Sequence, residues 1–179
     1  MPQWLIVLSW VSTVLGLATA GAIAADVIRR PQRMAIMNVV WPVTGLYFPL
    51  VGWWFYAAMG RPMAVDAREI EGKRAYWRQI FLSATHCGSG CVLGNIIGVP
   101  IVFFTGWIVF GERLFAEYVV EFALAYLFGI AFQYFPIRTM RRIPPREAIV
   151  EAVKADTFSL AAFEIGMFAW MAAVRYGLL

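Results

Sequence analysis

At 179 residues the chain is long enough for one domain, but 61% of it is hydrophobic and only 15% is charged, where soluble domains carry roughly a quarter charged residues. Its mean hydropathy is +0.69. The 15 basic and 11 acidic residues are clustered, and the uncharged runs between them exclude an ordinary soluble fold. A net charge of +4 would suit nucleic acid in a soluble protein. Between apolar runs, however, basic loops mark the cytoplasmic face and anionic headgroups. The expected partner is therefore the lipid bilayer, with no nucleic acid.

About 20 apolar residues at ~1.5 Å each cross the hydrocarbon layer, and five runs reach that length. The first, Trp4 to Ala25, carries no charge. It ends in Ala22-Ile23-Ala24, which resembles a signal-peptidase site. No basic residue precedes it and it exceeds a usual signal core, so a retained helix is expected. The second, Met34 to Met59, is also uncharged but contains Trp41-Pro42 and Pro49. The third, Ile80 to Phe110, holds His86 and is longer than one upright crossing needs. The fourth, Phe115 to Ile137, carries Glu117 and Glu121 in its first turns. The fifth, Thr157 to Val174, is interrupted by Glu164. Trp4, Trp53, Trp54, Tyr56, Tyr76, Trp77, Tyr134 and Tyr176 gather near run ends, where amphipathic rings prefer the headgroup layer.

The expectation is an all-α integral membrane protein, a single polytopic domain over 1–179. Its bundle of about five transmembrane helices falls near 4–25, 34–59, 78–110, 115–137 and 146–176. Pro144-Pro145 followed by Arg146-Glu147 suits a helix start. Ile149, Val150 and Val153 then give an apolar stripe, consistent with an interfacial helix near 145–155 or a lead into the fifth crossing. The connections at 60–79 and 138–156 each hold five Lys or Arg, that at 26–33 holds three, and that at 111–114 holds one. With five crossings, the counting rule places the N-terminus with the two richest loops in the cytoplasm. The basic cluster directly after the first run argues the reverse. A re-entrant second run would bring all three basic loops to one side, because broken backbone is tolerated where protein covers it.

The chain has two cysteines, both in the segment HCGSGC, so no disulfide framework is expected. On a helix, Cys87 and Cys91 share a face, extended by Ser83 and Asn95. Two thiolates with an imidazole beside them supply soft ligands suited to monovalent copper, zinc and related ions. Gly88 and Gly90 weaken a helix here, which would let the backbone unwind and His86 turn toward the same ion. The competing reading is packing. Ser83, Ala84, Cys87, Gly88, Gly90, Cys91, Gly94 and Gly98 are all small, as close membrane-helix contacts select.

Glu164 sits mid-run, where an ionisable group costs several kcal/mol (roughly 3) unless paired, protonated or watered. Its default reading is a functional site facing the bundle interior, with Met167 and Met171 on the same stripe; thioether suits a soft metal and also fills core space. Glu117 fits a helix N-terminus through the dipole, whereas Glu121 lies a turn deeper. The expected metal residues are His86, Cys87, Cys91, Glu164 and Met167, with Asn95, Glu121 and Asp156 as a candidate path across the membrane.

The blocks SATHCGSGCVLGNIIG, EFALAYLFGIAFQYF and REAIVEAVKADTFSLAAFEIGMFAWM, with the upstream MNVVWPVTGLYFPL, are similar to a bacterial family of small membrane proteins. That family is catalogued as domain of unknown function four-three-nine-six. The resemblance implies that His86, Cys87, Cys91, the glycines after them, Asp156 and Glu164 belong to its signature. Many members carry an acidic residue where this chain has Asn95, which argues against a hard-metal role there. Some members bear a copper-related label or are joined to copper enzymes, which points toward copper.

Together these readings give a multi-pass protein of the bacterial inner (cytoplasmic) membrane. Its expected role is to bind copper(I) or another soft metal ion as a transporter, carrier or sensor, as a homo-oligomer or beside a copper protein partner. Enzymatic activity is not implied, and a single histidine makes haem a poor fit. The alternatives are a thiol redox protein using Cys87 and Cys91, for which a four-residue spacing is less suited than a two-residue one, and a non-catalytic oligomeric assembly factor.

Overall fold

A computed structural model describes residues 3–67, 76–141 and 143–178. The side chains of Tyr76, Gln79, Thr139, Met140 and Leu178, and the loop cations Arg68, Lys73, Arg74 and Arg142, lie outside the described residues. The described chain is helical, and four of its helices are long and apolar enough to cross a membrane. It divides into two compact units, Met1–Thr85 and His86–Leu179.

In the first unit, α1 (Gln3–Arg29) is a single apolar helix that stops just before Pro31, where the chain is driven out of helical geometry. The second apolar run does not make one helix. Pro42 lies within α2 (Met37–Tyr47); Pro49 restricts Phe48, and Leu50 takes a left-handed φ of 61°. The chain then reverses into α3 (Val51–Phe55), a wide π-turn at Tyr56–Gly60 and a 3-10 turn at Arg61–Met63.

The reversal is tight. A Cβ on Gly52 would lie 2.9 Å from the Gly45 Cα, so Gly52 lets the two arms touch, while one on Gly45 would meet the Ala20 backbone nitrogen at 3.2 Å, so Gly45 seats the arm on α1. The tip rests against the middle of α1, where the Leu50 N–H donates to Thr19 Oγ1 at 3.2 Å. The base closes at the far end of α1. Val65 N–H donates to the Pro31 carbonyl at 2.9 Å and Arg33 N–H to that of Met63 at 3.2 Å. Asp26 accepts from Tyr56 Oη at 2.9 Å and from Arg61 Nε and Nη2 at 2.8 and 3.1 Å. Trp41 and Tyr56, both fully buried, meet edge to face between the arms. The run at 34–59 therefore leaves and returns at one end of α1. Its depth, from Thr19 to Arg29, is about 15 Å at 1.5 Å per residue, half of a roughly 30 Å hydrocarbon layer.

In the second unit, α4 (Tyr76–Thr105), whose first residues belong to the first unit, is joined to α5 (Arg113–Arg141) by a short turn. Gly106 and Gly111 in that turn have φ of 67° and 79°, values glycine adopts without strain. Pro144, extended at ψ 150°, leads into α6 (Pro145–Ala173), with Glu147 in its first turn; proline and acid suit a helix start. The stretch 145–155 is thus the beginning of α6 itself, and α6 continues to a last π-turn at Val174–Leu178.

Small residues set the packing of α4 on α5. A Cβ on Gly90 would meet the Gly129 backbone at 2.8 Å, one on Gly94 the Ala125 backbone at 2.6 Å, and one on Gly98 the Glu121 Cγ at 3.1 Å. Gly90, Gly94 and Gly98 thus run antiparallel to Gly129, Ala125 and Glu121 at four-residue spacing, the arrangement that lets membrane helices approach closely. α6 presents Ala148, Ala152, Asp156, Leu160 and Glu164, every fourth residue, as its buried stripe.

Candidate functional site

The HCGSGC segment is regular α-helix. The unwinding expected at Gly88 and Gly90 does not occur, because Gly90 is used for contact with Gly129. Regular geometry sets Cys87 and Cys91 one turn apart on one face. Both are free thiols, 3% and 0% exposed, and their side chains interact with each other. His86, also buried, lies about 100° round the helix from Cys87.

The thiols meet α6. Cys87 lies beside the Asp156 carboxyl and the Ser159 hydroxyl, and Cys91 lies beside Glu164. Asp156 is pressed onto α5 where Gly129 leaves room; a Cβ there would collide with the carboxylate. Further along, Glu121 lies against Gly98 and close enough to Glu164 for their charges to interact. Asn95, between these levels, donates its amide N–H to the Met167 sulfur at 2.8 Å. Tyr118 donates to the Phe168 carbonyl at 2.8 Å and their rings stack, so α5 and α6 are held antiparallel at this end.

The result is a file of titratable groups inside the unit: Asp156, Cys87, Cys91, Glu164 and Glu121. From Asp156 to Glu164 it spans about 12 Å along α6. The three carboxyl groups are at most 1% exposed. None of their six oxygens makes a well-formed hydrogen bond, although buried polar groups are nearly always paired. Glu117 contrasts with them, for it is ion-paired to Arg113 at 3.4 Å.

The structure thus brings together Cys87, Cys91, Asp156, Glu164 and Glu121, with Asn95 and Met167 joined to each other beside Glu164. Among the described residues, no three His, Cys, Asp or Glu side chains converge in a way that would hold a metal ion. Cys87 and Cys91 therefore stand as a two-thiol grouping without His86. Sequence reasoning missed Gly129, the seat of Asp156, and Ser159 beside Cys87. The four-residue spacing of Glu121, Ala125 and Gly129, matching that of Gly90, Gly94 and Gly98, is the signal that points to the first.

The chain belongs to the family described as domain of unknown function (DUF4396), whose sequence profile matches residues 76–179. The match takes in every residue of this file, and the hairpin of the first unit precedes it. No curated protein and no solved structure matches the chain.

Proposed function

We propose that the protein is a cation-handling protein of the bacterial inner membrane in which Cys87 and Cys91 hold a soft monovalent ion, copper(I) above all. The observation that carries this reading is the pair of buried free thiols side by side on one face of α4, with a carboxyl beside each. Thiolate ligands select soft ions, and two adjacent sulfurs suit an ion content with low coordination. A thiol must lose its proton to become a ligand, and Asp156 and Glu164 are the adjacent groups able to take part in that transfer. Met167 supplies a thioether one turn beyond Glu164.

The closed base of the first-unit hairpin supports a re-entrant segment rather than a fifth crossing. Four crossings with that segment would place thirteen of the fifteen basic residues on one side, the pattern of a cytoplasmic face. The file covers only part of the membrane's thickness, so action as a carrier or transporter would call on homo-oligomers to complete a path.

Elemental mass spectrometry of the reduced protein, purified in detergent and loaded anaerobically with copper(I), tests the site. Near-stoichiometric copper that is lost in Cys87→Ser/Cys91→Ser is expected; equal copper in both proteins, or none in either, would falsify it. The glycine ladder favours a second reading, in which the cysteines only pack helices. Cys87→Ala/Cys91→Ala with full metal tolerance in cells would select that one. A membrane dithiol is less favoured, because the regular helix at 87–91 holds the two Cβ atoms about 5–6 Å apart, where a disulfide needs roughly 3.8 Å.

A further inference from the structure

Within the second unit, α4 and α6 run parallel through three successive contacts: Cys87 with Asp156 and Ser159, Cys91 with Glu164, and Asn95 with Met167. The last joins an amide to a thioether. A thioether sulfur has lone pairs and no hydrogen, so the Asn95 Nδ2 is the donor and that chemistry fixes the orientation of the amide. Its Oδ1 is buried at the same level without a donor.

Packing alone does not call for an amide here. Sulfur is a weak acceptor, and a buried carbonyl oxygen left without a donor is costly. An apolar side chain would fill the place without that cost. What the amide does achieve is to fix a methionine, a side chain that three rotatable bonds otherwise leave adaptable.

The place where it is fixed matters to the thiol pair. Cys87 and Asn95 are eight residues apart, about 12 Å along α4. Sulfurs that share one ion through bonds of about 2.3 Å, the length zinc thiolates take, lie within roughly 4.6 Å of each other. A sulfur resting on the Asn95 amide at 2.8 Å is therefore out of reach of an ion bonded to both Cys87 and Cys91. Freed from the amide, Met167 comes within reach, because its side chain leans toward the N-terminus of α6, the direction of Glu164 and Cys91.

We propose that Asn95 is a positioning residue that holds the Met167 thioether in reserve. A soft ion on Cys87 and Cys91 then has two sulfur ligands while the amide–thioether bond is closed and gains a third when it opens. The inference rests on the thiol pair binding copper(I), as proposed above. A half-satisfied amide suits a releasable latch, because turning away from sulfur gives up only a weak bond.

Copper K-edge X-ray absorption of the detergent-purified protein, loaded anaerobically with copper(I), counts the sulfurs. Two are expected in the native protein and still two in Met167→Leu. Three are expected in Asn95→Leu, and two again in Asn95→Leu/Met167→Leu. Asn95→Ala, which removes the amide and adds no bulk, should behave like Asn95→Leu and guards against a misfit of the larger side chain. A readout without metal accompanies these counts. In protein labelled at the methionine methyls, the Met167 resonance, identified by its loss in Met167→Leu, should pass from rigid to mobile in both Asn95 variants. Three sulfurs in the native protein that fall to two in Met167→Leu would overturn the proposal while leaving the thiol site standing. So would two sulfurs in both Asn95 variants, or a Met167 methyl already mobile in the native protein. No copper on the native protein would instead end the thiol reading, and this inference with it.

Discussion

Asp26 and Asp156 are both aspartates on long apolar helices, yet their surroundings are opposite. Asp26 takes three hydrogen bonds, from Tyr56 and Arg61, and those bonds fasten the hairpin base to α1. Asp156 is fully buried against a thiol and a glycine backbone, and beyond its contact with the Cys87 thiol takes no well-formed hydrogen bond. The same contrast separates Glu117, ion-paired to Arg113, from Glu121 one turn along. A membrane chain whose acids serve only architecture would pair them all, since unpaired buried charge is costly. The first unit uses Asp26, the acid on its long helix, as a fastener; the second keeps three acids without an ion pair along one line, which is where chemistry is expected.

The contrast can be broken most forcefully at the glycines that create the acid file. Gly129→Ala drives a methyl into the Asp156 carboxyl, and Gly94→Ala drives one into the Ala125 backbone. Each should cost about 1–3 kcal/mol by overpacking, read as a lowered midpoint of thermal unfolding in detergent. Gly166→Ala, with nothing within 4 Å of the new methyl, should instead be neutral or gain up to ~1 kcal/mol of helix stability. Equal losses at all three positions would mean that the ladder does not hold α4 to α5.

A smaller effect is expected at the fastener. Asp26→Ala and Arg61→Ala should each cost about 1–2 kcal/mol, because Arg61 is partly exposed and solvent screens such pairs. The double variant should cost less than the sum by about 1 kcal/mol. Simple additivity would show that the pair is incidental. Thr19→Val removes only the acceptor for the Leu50 N–H at the hairpin tip, at roughly 1 kcal/mol. Faster protease cleavage near Pro49 in that variant would report a loosened tip.

The long-range partners of these residues explain what could be read in advance. Hydropathy alone located the four long helices, four-residue spacing placed Cys87 with Cys91, and the cost of an ionisable group in mid-run turned Glu164 inward. Pro144-Pro145 marked the start of α6. The second run was harder, because 34–59 is as apolar as a crossing helix. What folds it back is contact between residues far apart in sequence, such as Asp26 with Arg61 and Pro31 with Val65. Pro42 and Pro49 announced a break without saying where the arms would return. The glycines of HCGSGC misled in the other direction. Their low helix propensity predicted unwinding, but the contact between Gly90 and Gly129 offsets it, and tertiary packing overrides propensity of that size.

The smallest expected change in stability is the most informative one. Glu164→Gln and Asp156→Asn keep shape and replace a carboxyl with a neutral amide. Were these acids ionised in the resting protein, removing two unpaired buried charges would raise stability by several kcal/mol (about 3–5), by the logic of uncompensated buried charge. Were they fasteners like Asp26, the amides would lower it. A carboxyl already holding its proton is neutral, so an amide of the same shape should leave the stability within about 1 kcal/mol of native, the scale of one hydrogen bond. Thermal unfolding of both variants at neutral pH, beside Asp26→Asn, separates the three cases. A near-zero shift in the second unit, together with a clear loss at Asp26, would show that these acids rest neutral and, unlike Asp26, do not hold the helices together.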